Sequence, residues 1–205
     1  MVPKNKLPTI AKETSKDITP QGAPARNLIL WQGDITRLAA DGIVNAANSA
    51  MLGCFAPCHS CIDNAIHSAA GLQLREACAQ LMQQQGHPES TGQAKITPAY
   101  NLPSKFVIHT VGPIILADRQ PNEAEANLLA SCYRSCLELA AQHQLNSIAF
   151  CCISTGEFHY PRKEAAQVAL NTVSKWLASS GSDMKVIFNV FKDEDLEVYK
   201  SLLRF

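Results

Sequence analysis

Apolar positions along this chain fall into short continuous runs separated by stretches of helical period. Residues 27–32 (Asn-Leu-Ile-Leu-Trp-Gln) form the first run. Its high β-propensity, stopped by Gly33-Asp34, predicts a strand. Residues 43–46 (Ile-Val-Asn-Ala) are nearly all apolar, the pattern of a strand buried on both faces. Residues 93–97 and 106–110 predict two more strands flanking a turn at Pro103, and residues 147–152 and 185–190 predict the last two. Between the runs the apolar period changes to 3.6. Residues 63–70 read as a short helix, with Asp63 as N-cap and Gly71 just past the end. Residues 72–85 place Leu74, Ala77, Cys78 and Leu81 on one face, and Gly86-His-Pro88 breaks that helix. Residues 121–143 carry Leu128, Leu129, Cys132, Cys136, Leu137 and Ala140 as their apolar stripe. Two helices close the pattern: one with Pro161 as first residue that runs to about 179, and one over 193–203. A short helical turn is predicted over 34–38. Strands alternating with helices imply a sheet covered on both faces, an α/β/α sandwich.

Residues 1–25, rich in Pro, Lys, Thr and Gln, read as an irregular extension, and residues 26–205 read as one folded domain. Composition narrows the partners. The chain has 205 residues, enough for one full core, with 46% hydrophobic and 18% charged positions. Eighteen basic residues balance eighteen acidic ones, so no basic excess points to nucleic acid and no basic amphipathic stripe points to a membrane surface. No run approaches the roughly 20 apolar residues of a membrane span, and the first residues hold no apolar segment of a secretory signal. Of the eight cysteines, Cys151-Cys152 lies in an apolar run and Cys132 and Cys136 share a helix face. That usage fits a reducing, cytoplasmic compartment and thiols that are buried or metal-bound. A small ligand and a monomeric chain are the natural expectations.

The densest chemistry lies in residues 53–71, Gly-Cys-Phe-Ala-Pro-Cys-His-Ser-Cys-Ile-Asp-Asn-Ala-Ile-His-Ser-Ala-Ala-Gly. Cys54, His59 and Cys61 have the spacing C-x4-H-x-C, and thiolates beside an imidazole suit Zn2+. Cys58 between them leaves two readings: a closed structural site with Cys58 as fourth ligand, or an open site with a free position. Asp34, residues 45–48, this loop and residues 154–160 all follow predicted strands. In α/β sheets ligands bind at the carboxyl ends of the strands.

These residues resemble those of a macrodomain. Gly33-Asp-Ile-Thr36, Asn45-Ala-Ala-Asn48, Asp63 with residues 65–71, Ile108-His-Thr-Val-Gly-Pro113 and Ser154-Thr-Gly-Glu-Phe-His-Tyr-Pro161 match its landmarks in order, over residues 27–205. The resemblance implies a three-layer α/β/α sandwich with a central mixed sheet. In place of the glycine run of most hydrolytic macrodomains stands the loop 53–61. In this the chain is similar to the zinc-dependent macrodomains associated with M-class sirtuins, with Cys54, His59 and Cys61 as ligands. The implied activity is removal of mono-ADP-ribose from protein side chains, acidic ones among them. A reader that binds ADP-ribose without turnover and an O-acetyl-ADP-ribose deacetylase are the other readings.

The resemblance gives each site residue a role. Asp34, with Ile35, would meet the adenine, although Asp34 also suits a plain helix cap. Ser154, Thr155, Gly156, Glu157 and Phe158 would bring backbone N–H groups to the diphosphate, with the Glu157 side chain turned to solvent. Phe158 and Tyr160 would wall the ribose. Phe191 would stack on the adenine or else pack in the core. Asn48 would bond the distal ribose, and Asp63 would act as general base or serve only as a cap. Two thiolates and a neutral imidazole cancel the charge of Zn2+, so the metal would position a sugar hydroxyl more than generate hydroxide. His67 and His109 are expected to be structural, as are Cys78, Cys132, Cys136, Cys151 and Cys152. His159 sits in the phosphate loop with no assigned role.

Overall fold

The computed structural model describes residues 27–55, 61–116 and 119–203. The extension over 1–25, Cys58 and His59 lie outside the described residues. Among the described residues six strands form one sheet: β1 Leu28–Gln32, β2 Gly42–Ala47, β3 Ala94–Pro98, β4 Phe106–Val111, β5 Ser147–Phe150 and β6 Lys185–Val190. The helices are α1 Ile62–Ala70, α2 Leu72–Gln85, α3 Glu123–Gln142, α4 Arg162–Ser180 and α5 Asp193–Leu203, with a 3-10 turn at Ile35–Arg37. The strand order is β1-β6-β5-β2-β4-β3. All neighbours run parallel except β3, which is antiparallel to β4 at the edge. The sheet is therefore mixed, and the architecture is the three-layer sandwich.

Burial follows the predicted pattern. Every residue of β5 is buried, as are all but Ala46 in β2. Strands covered on both faces gain from continuous apolar sequence, each large side chain contributing about 1.5–3 kcal/mol on burial. Helix α1 packs on β2 and α2, and α2 reaches β3. Helix α3 packs on β3, β4 and α4, and α4 packs on α5. Tyr133 of α3 stacks on Phe150 of β5 with ring centres 4.9 Å apart, and Phe188 of β6 meets Tyr199 of α5 at 5.3 Å. Helix α3 starts with a capping box: the Asn122 side chain accepts from the Glu125 N–H, and the Glu125 carboxylate accepts from the Asn122 N–H.

Several element ends differ from expectation by one or two residues, and three bear on the site. Pro161 is the N-cap of α4 rather than its first residue, and β5 stops at Phe150, two residues early. The Asp63 side chain is not a cap. Cys61 takes that place, its sulfur accepting from the Asn64 N–H at 3.4 Å, and Asp63 is the second helical residue, 3% exposed.

The chain leaves β2 toward β4 and later crosses back to β5 on the other side of β2. The carboxyl ends of β2 and β5 thus flank the point where the winding direction reverses. A crevice opens at such points in α/β sheets.

Candidate functional site

Asn45 lies inside β2, fully buried and in register with His109 of β4. A buried amide must find partners. Its Nδ2 donates to the Asp63 carboxylate at 2.8 Å and lies 3.2 Å from His109 Nδ1. Asn48, three residues on, caps its own turn: its Oδ1 accepts from the Ala50 and Met51 N–H groups at 3.0 and 3.2 Å. Its Nδ2 then points at the Gly53 carbonyl and the second Asp63 oxygen, both at 3.3 Å. One residue of β2 and one just beyond it thus hold both oxygens of Asp63, brought to them by α1.

This setting changes Asp63 chemically. Burial raises its carboxyl above the ordinary range, against the Asn45 hydrogen bond and the nearby His67, which pull it down. A carboxyl shifted upward is a better base than one held low at a helix cap. His67, one turn later, is also buried, with Nε2 3.5 Å from Asp63. Burial lowers its pKa, against Asp63, which raises it, so its surroundings disfavour the charged form. Among the described residues neither of its ring nitrogens has a hydrogen-bond partner, so His67 is packed, as expected, but unsatisfied there.

The start of the cysteine loop is fixed by neighbours. Gly53 has φ 87°, and a Cβ there would lie 2.8 Å from the Phe55 ring and 2.9 Å from His67. The Phe55 ring carries the Arg75 guanidinium 4.4 Å from its centre. The Asn64 amide donates to the Cys54 carbonyl at 2.7 Å. Cys54 and Cys61, on either side of the loop, are near neighbours. Burial, foremost, together with Cys54 and Asp63, pushes the Cys61 thiol up. Two of the three expected zinc ligands are therefore adjacent, and His59 lies outside the described residues.

A second set of ligand-type side chains, His67, Cys78 and His109, converges to within 4.8 Å, all buried. Its hydrogen bonds argue against metal. Asn45 Nδ2 is fixed as a donor by Asp63, so His109 Nδ1 accepts and the ring proton sits on Nε2. That N–H donates to the Thr97 hydroxyl at 2.9 Å, leaving no lone pair toward Cys78 at 3.7 Å. Burial pushes His109 down to about 3 and the Cys78 thiol up to about 12. His109 is structural, as are Cys78, Cys132, Cys136 and Cys151, all buried. Cys152 is half-buried, its sulfur 3.8 Å from the Asn189 carbonyl.

The loop after β5 is tightly folded. Ser154 has φ 66° and His159 φ 55°. The Tyr160 N–H donates to the Ser154 carbonyl at 2.9 Å, the His159 N–H to Gly156 at 3.0 Å, and the Ile115 N–H to Phe158 at 2.8 Å. The Gly156 α-carbon faces open space. Ser154 is buried, its hydroxyl without a partner, and it lies directly over Gly112 after β4. Thr155 is half-buried, Glu157 is exposed as expected, and Phe158 is half-buried. Tyr160 is 2% exposed and packs in the core, not along an open wall.

On the far side, Asp34 caps the 3-10 turn, accepting from the Thr36 N–H at 3.0 Å and its hydroxyl at 2.7 Å. Its other oxygen lies 3.6 Å from Arg37 Nε. The Ile35 side chain is in the core. Phe191, after β6, is 73% exposed, so the core alternative is excluded and the ring is available. Asn189 donates to the Gly33 carbonyl at 2.8 Å and ties the two segments. Sequence reasoning gave no role to Asn45, Gly112 or Arg162; for Asn45 the signal was an amide inside a buried apolar strand.

A glycine-bearing turn and a buried carboxylate thus flank the reversal point of an α/β sheet, where such folds open a crevice. The chain belongs to the Macro domain family, whose pattern matches residues 44–169. It is 57% identical to the "Protein-ADP-ribose hydrolase" of Treponema medium over 174 residues, 85% of this chain and 66% of that protein. It is 54% identical to the protein of the same name in Staphylococcus aureus MSSA476, over 90% of this chain and 68% of that one. The chain thus spans about two thirds of these curated relatives. Among solved structures, the Trypanosoma brucei macrodomain in complex with ADP-ribose superposes with TM-score 0.76 at 36% identity, covering 90% of this chain and 72% of that one.

Proposed function

We propose that this chain is a protein-ADP-ribose hydrolase that removes mono-ADP-ribose from modified protein side chains, with an ester to an acidic residue as the linkage. The observation that carries the reading is Asp63, a buried carboxylate held by two amides at the sheet's reversal point, with its pKa raised by burial. In this role Asp63 takes the proton of the attacking water or sugar hydroxyl near the anomeric carbon. Asn48 turns its amide to the distal ribose; its two present contacts, both at 3.3 Å, are long enough to be exchanged. Residues 154–158 take the diphosphate on backbone N–H groups. Phe191 and Asp34 take the adenine.

We assign Zn2+ to Cys54, His59 and Cys61. The neighbouring Cys54 and Cys61 thiols, with the C-x4-H-x-C spacing, support this. When bound, the ion supplies a hold on a hydroxyl of the distal ribose. In keeping with the resemblance, the partners are modified protein and an ADP-ribosylating sirtuin, and the chain works as a cytoplasmic monomer. No described helix is long and apolar enough to cross a membrane.

The test is incubation of the chain with mono-ADP-ribosylated protein, with and without a chelator. Release of ADP-ribose that stops on chelation is expected, and Asp63→Ala is expected to bind ADP-ribose without releasing it. Normal release by Asp63→Ala removes the base assignment. Tight binding with no release by the unaltered chain makes it a reader, and undiminished release from metal-free material removes zinc.

A further inference from the structure

Arg162 has no local reason to be where it is. It is the first residue of α4, and a cation at a helix N-terminus opposes the helix dipole. Its partners lie on another element. Arg162 Nε is 3.1 Å from the Asp195 carboxylate and Nη2 is 3.1 Å from that of Glu194, both in the first turn of α5, where anions are favoured. The Asp195 side chain is 11% exposed and that of Arg162 40%. The planar guanidinium fixes the direction of both contacts, which a flexible ammonium does less well. Arg162, Asp195, Cys152, Thr155 and Tyr199 line a small cavity directly under the start of the 154–160 loop.

The placement matters because of what each end carries. Arg162 follows Pro161, the N-cap of α4, and stands four residues past the 154–158 segment assigned to the diphosphate. Helix α5 begins two residues after Phe191, the exposed ring assigned to the adenine. The same first turn is held a second time, by the Gln32 amide donating to Asp193 at 2.8 Å, beside Gly33-Asp34. We propose that Arg162 is a positioning residue for nucleotide binding: by bridging the α4 and α5 N-termini it sets the span between the adenine wall and the diphosphate loop. The inference rests on the ADP-ribose reading of the site. It predicts an effect on affinity for ligands that reach both walls, and little on turnover once substrate is saturating.

The experiment is calorimetric titration of the full chain with ADP-ribose, which spans both walls, and with adenosine, which carries no phosphate and reaches only the adenine wall. Arg162→Met is expected to weaken ADP-ribose binding on the order of tenfold, equivalent to about 1.4 kcal/mol, to leave adenosine within about twofold, and to raise KM more than it lowers kcat. Arg162→Lys should recover part of the loss. Glu194→Gln, which alters an exposed partner without threatening the fold, should give a smaller loss in the same direction. Lys105→Met, which breaks the 2.7 Å pair with Asp41 at the opposite end of β2, should leave both ligands unaffected. Unchanged ADP-ribose affinity in Arg162→Met and Glu194→Gln overturns the proposal, and so does an equal loss for both ligands. Failure of the unaltered chain to bind ADP-ribose at all overturns the site reading, and the clamp with it.

Discussion

Gly112→Ala tests how closely the two loops at the mouth of the sheet are packed. A Cβ at Gly112 would lie 2.0 Å from Ser154 Oγ, 2.9 Å from Ile153 Cγ2 and 3.3 Å from Ser154 Cβ. Bringing the first contact to an ordinary 3.4 Å requires a movement of about 1.4 Å. Rotation of the Ser154 hydroxyl relieves that contact alone; the Ile153 contact needs a buried, β-branched side chain to leave its rotamer, and the Ser154 Cβ contact needs the backbone to move. Overpacking of this kind costs about 1–3 kcal/mol, which for a domain of this size lowers Tm by roughly 2–12 °C. Ser154 opens the segment that would hold the diphosphate, so affinity for ADP-ribose should fall together with Tm. Adding Ser154→Gly removes the obstructing side chain at a residue with φ 66°, which glycine accepts without strain. The double variant should recover part of both losses. Thermal melts and titration with ADP-ribose measure the two effects. A Gly112→Ala protein with unchanged Tm and unchanged affinity would refute the packing argument.

Acid should destabilise the fold below about pH 6.5. His109 is held down to about 3 by burial, so the unfolded chain binds its proton first. The stability this group contributes is complete above its ordinary pKa of 6.5 and is lost as pH falls toward 3, at about 1.4 kcal/mol per pH unit. His67, also lowered, adds loss of the same sign, and Asp63, raised, contributes the opposite sign at lower pH. Urea midpoints measured across this range should show a shallower slope for His109→Gln than for the unaltered chain; equal slopes would contradict the assignment. Asn45→Ala should cost about 1–3 kcal/mol, the penalty for leaving a buried partner unsatisfied. It should also raise the Asp63 pKa further, since the Asn45 hydrogen bond holds it down. A pH–rate profile whose acidic limb moves upward would show this, and an unmoved limb would not fit.

Much of this architecture was legible in the order of residues. Continuous apolar runs marked the buried strands, and the 3.6-residue period marked the helices, because both patterns record which faces meet the core. The five landmarks, read in order, gave the family. The residues around Asp63 show where local reading stopped. An Asp ahead of an apolar stripe has the pattern of a cap, yet Cys61 caps α1 and Asp63 turns inward to Asn45 and Asn48. Phe191 could stack or be buried until β6 ended with its ring exposed. Tyr160, expected on the pocket wall, went to the core. Arg162 shows no purpose until α5 arrives more than thirty residues later. Periodicity and propensity act over a few neighbours, so the sequence by itself determined the elements and their buried faces. The environment of a carboxylate, and with it the pKa, depends on groups brought together from distant strands, and only the tertiary structure decided that.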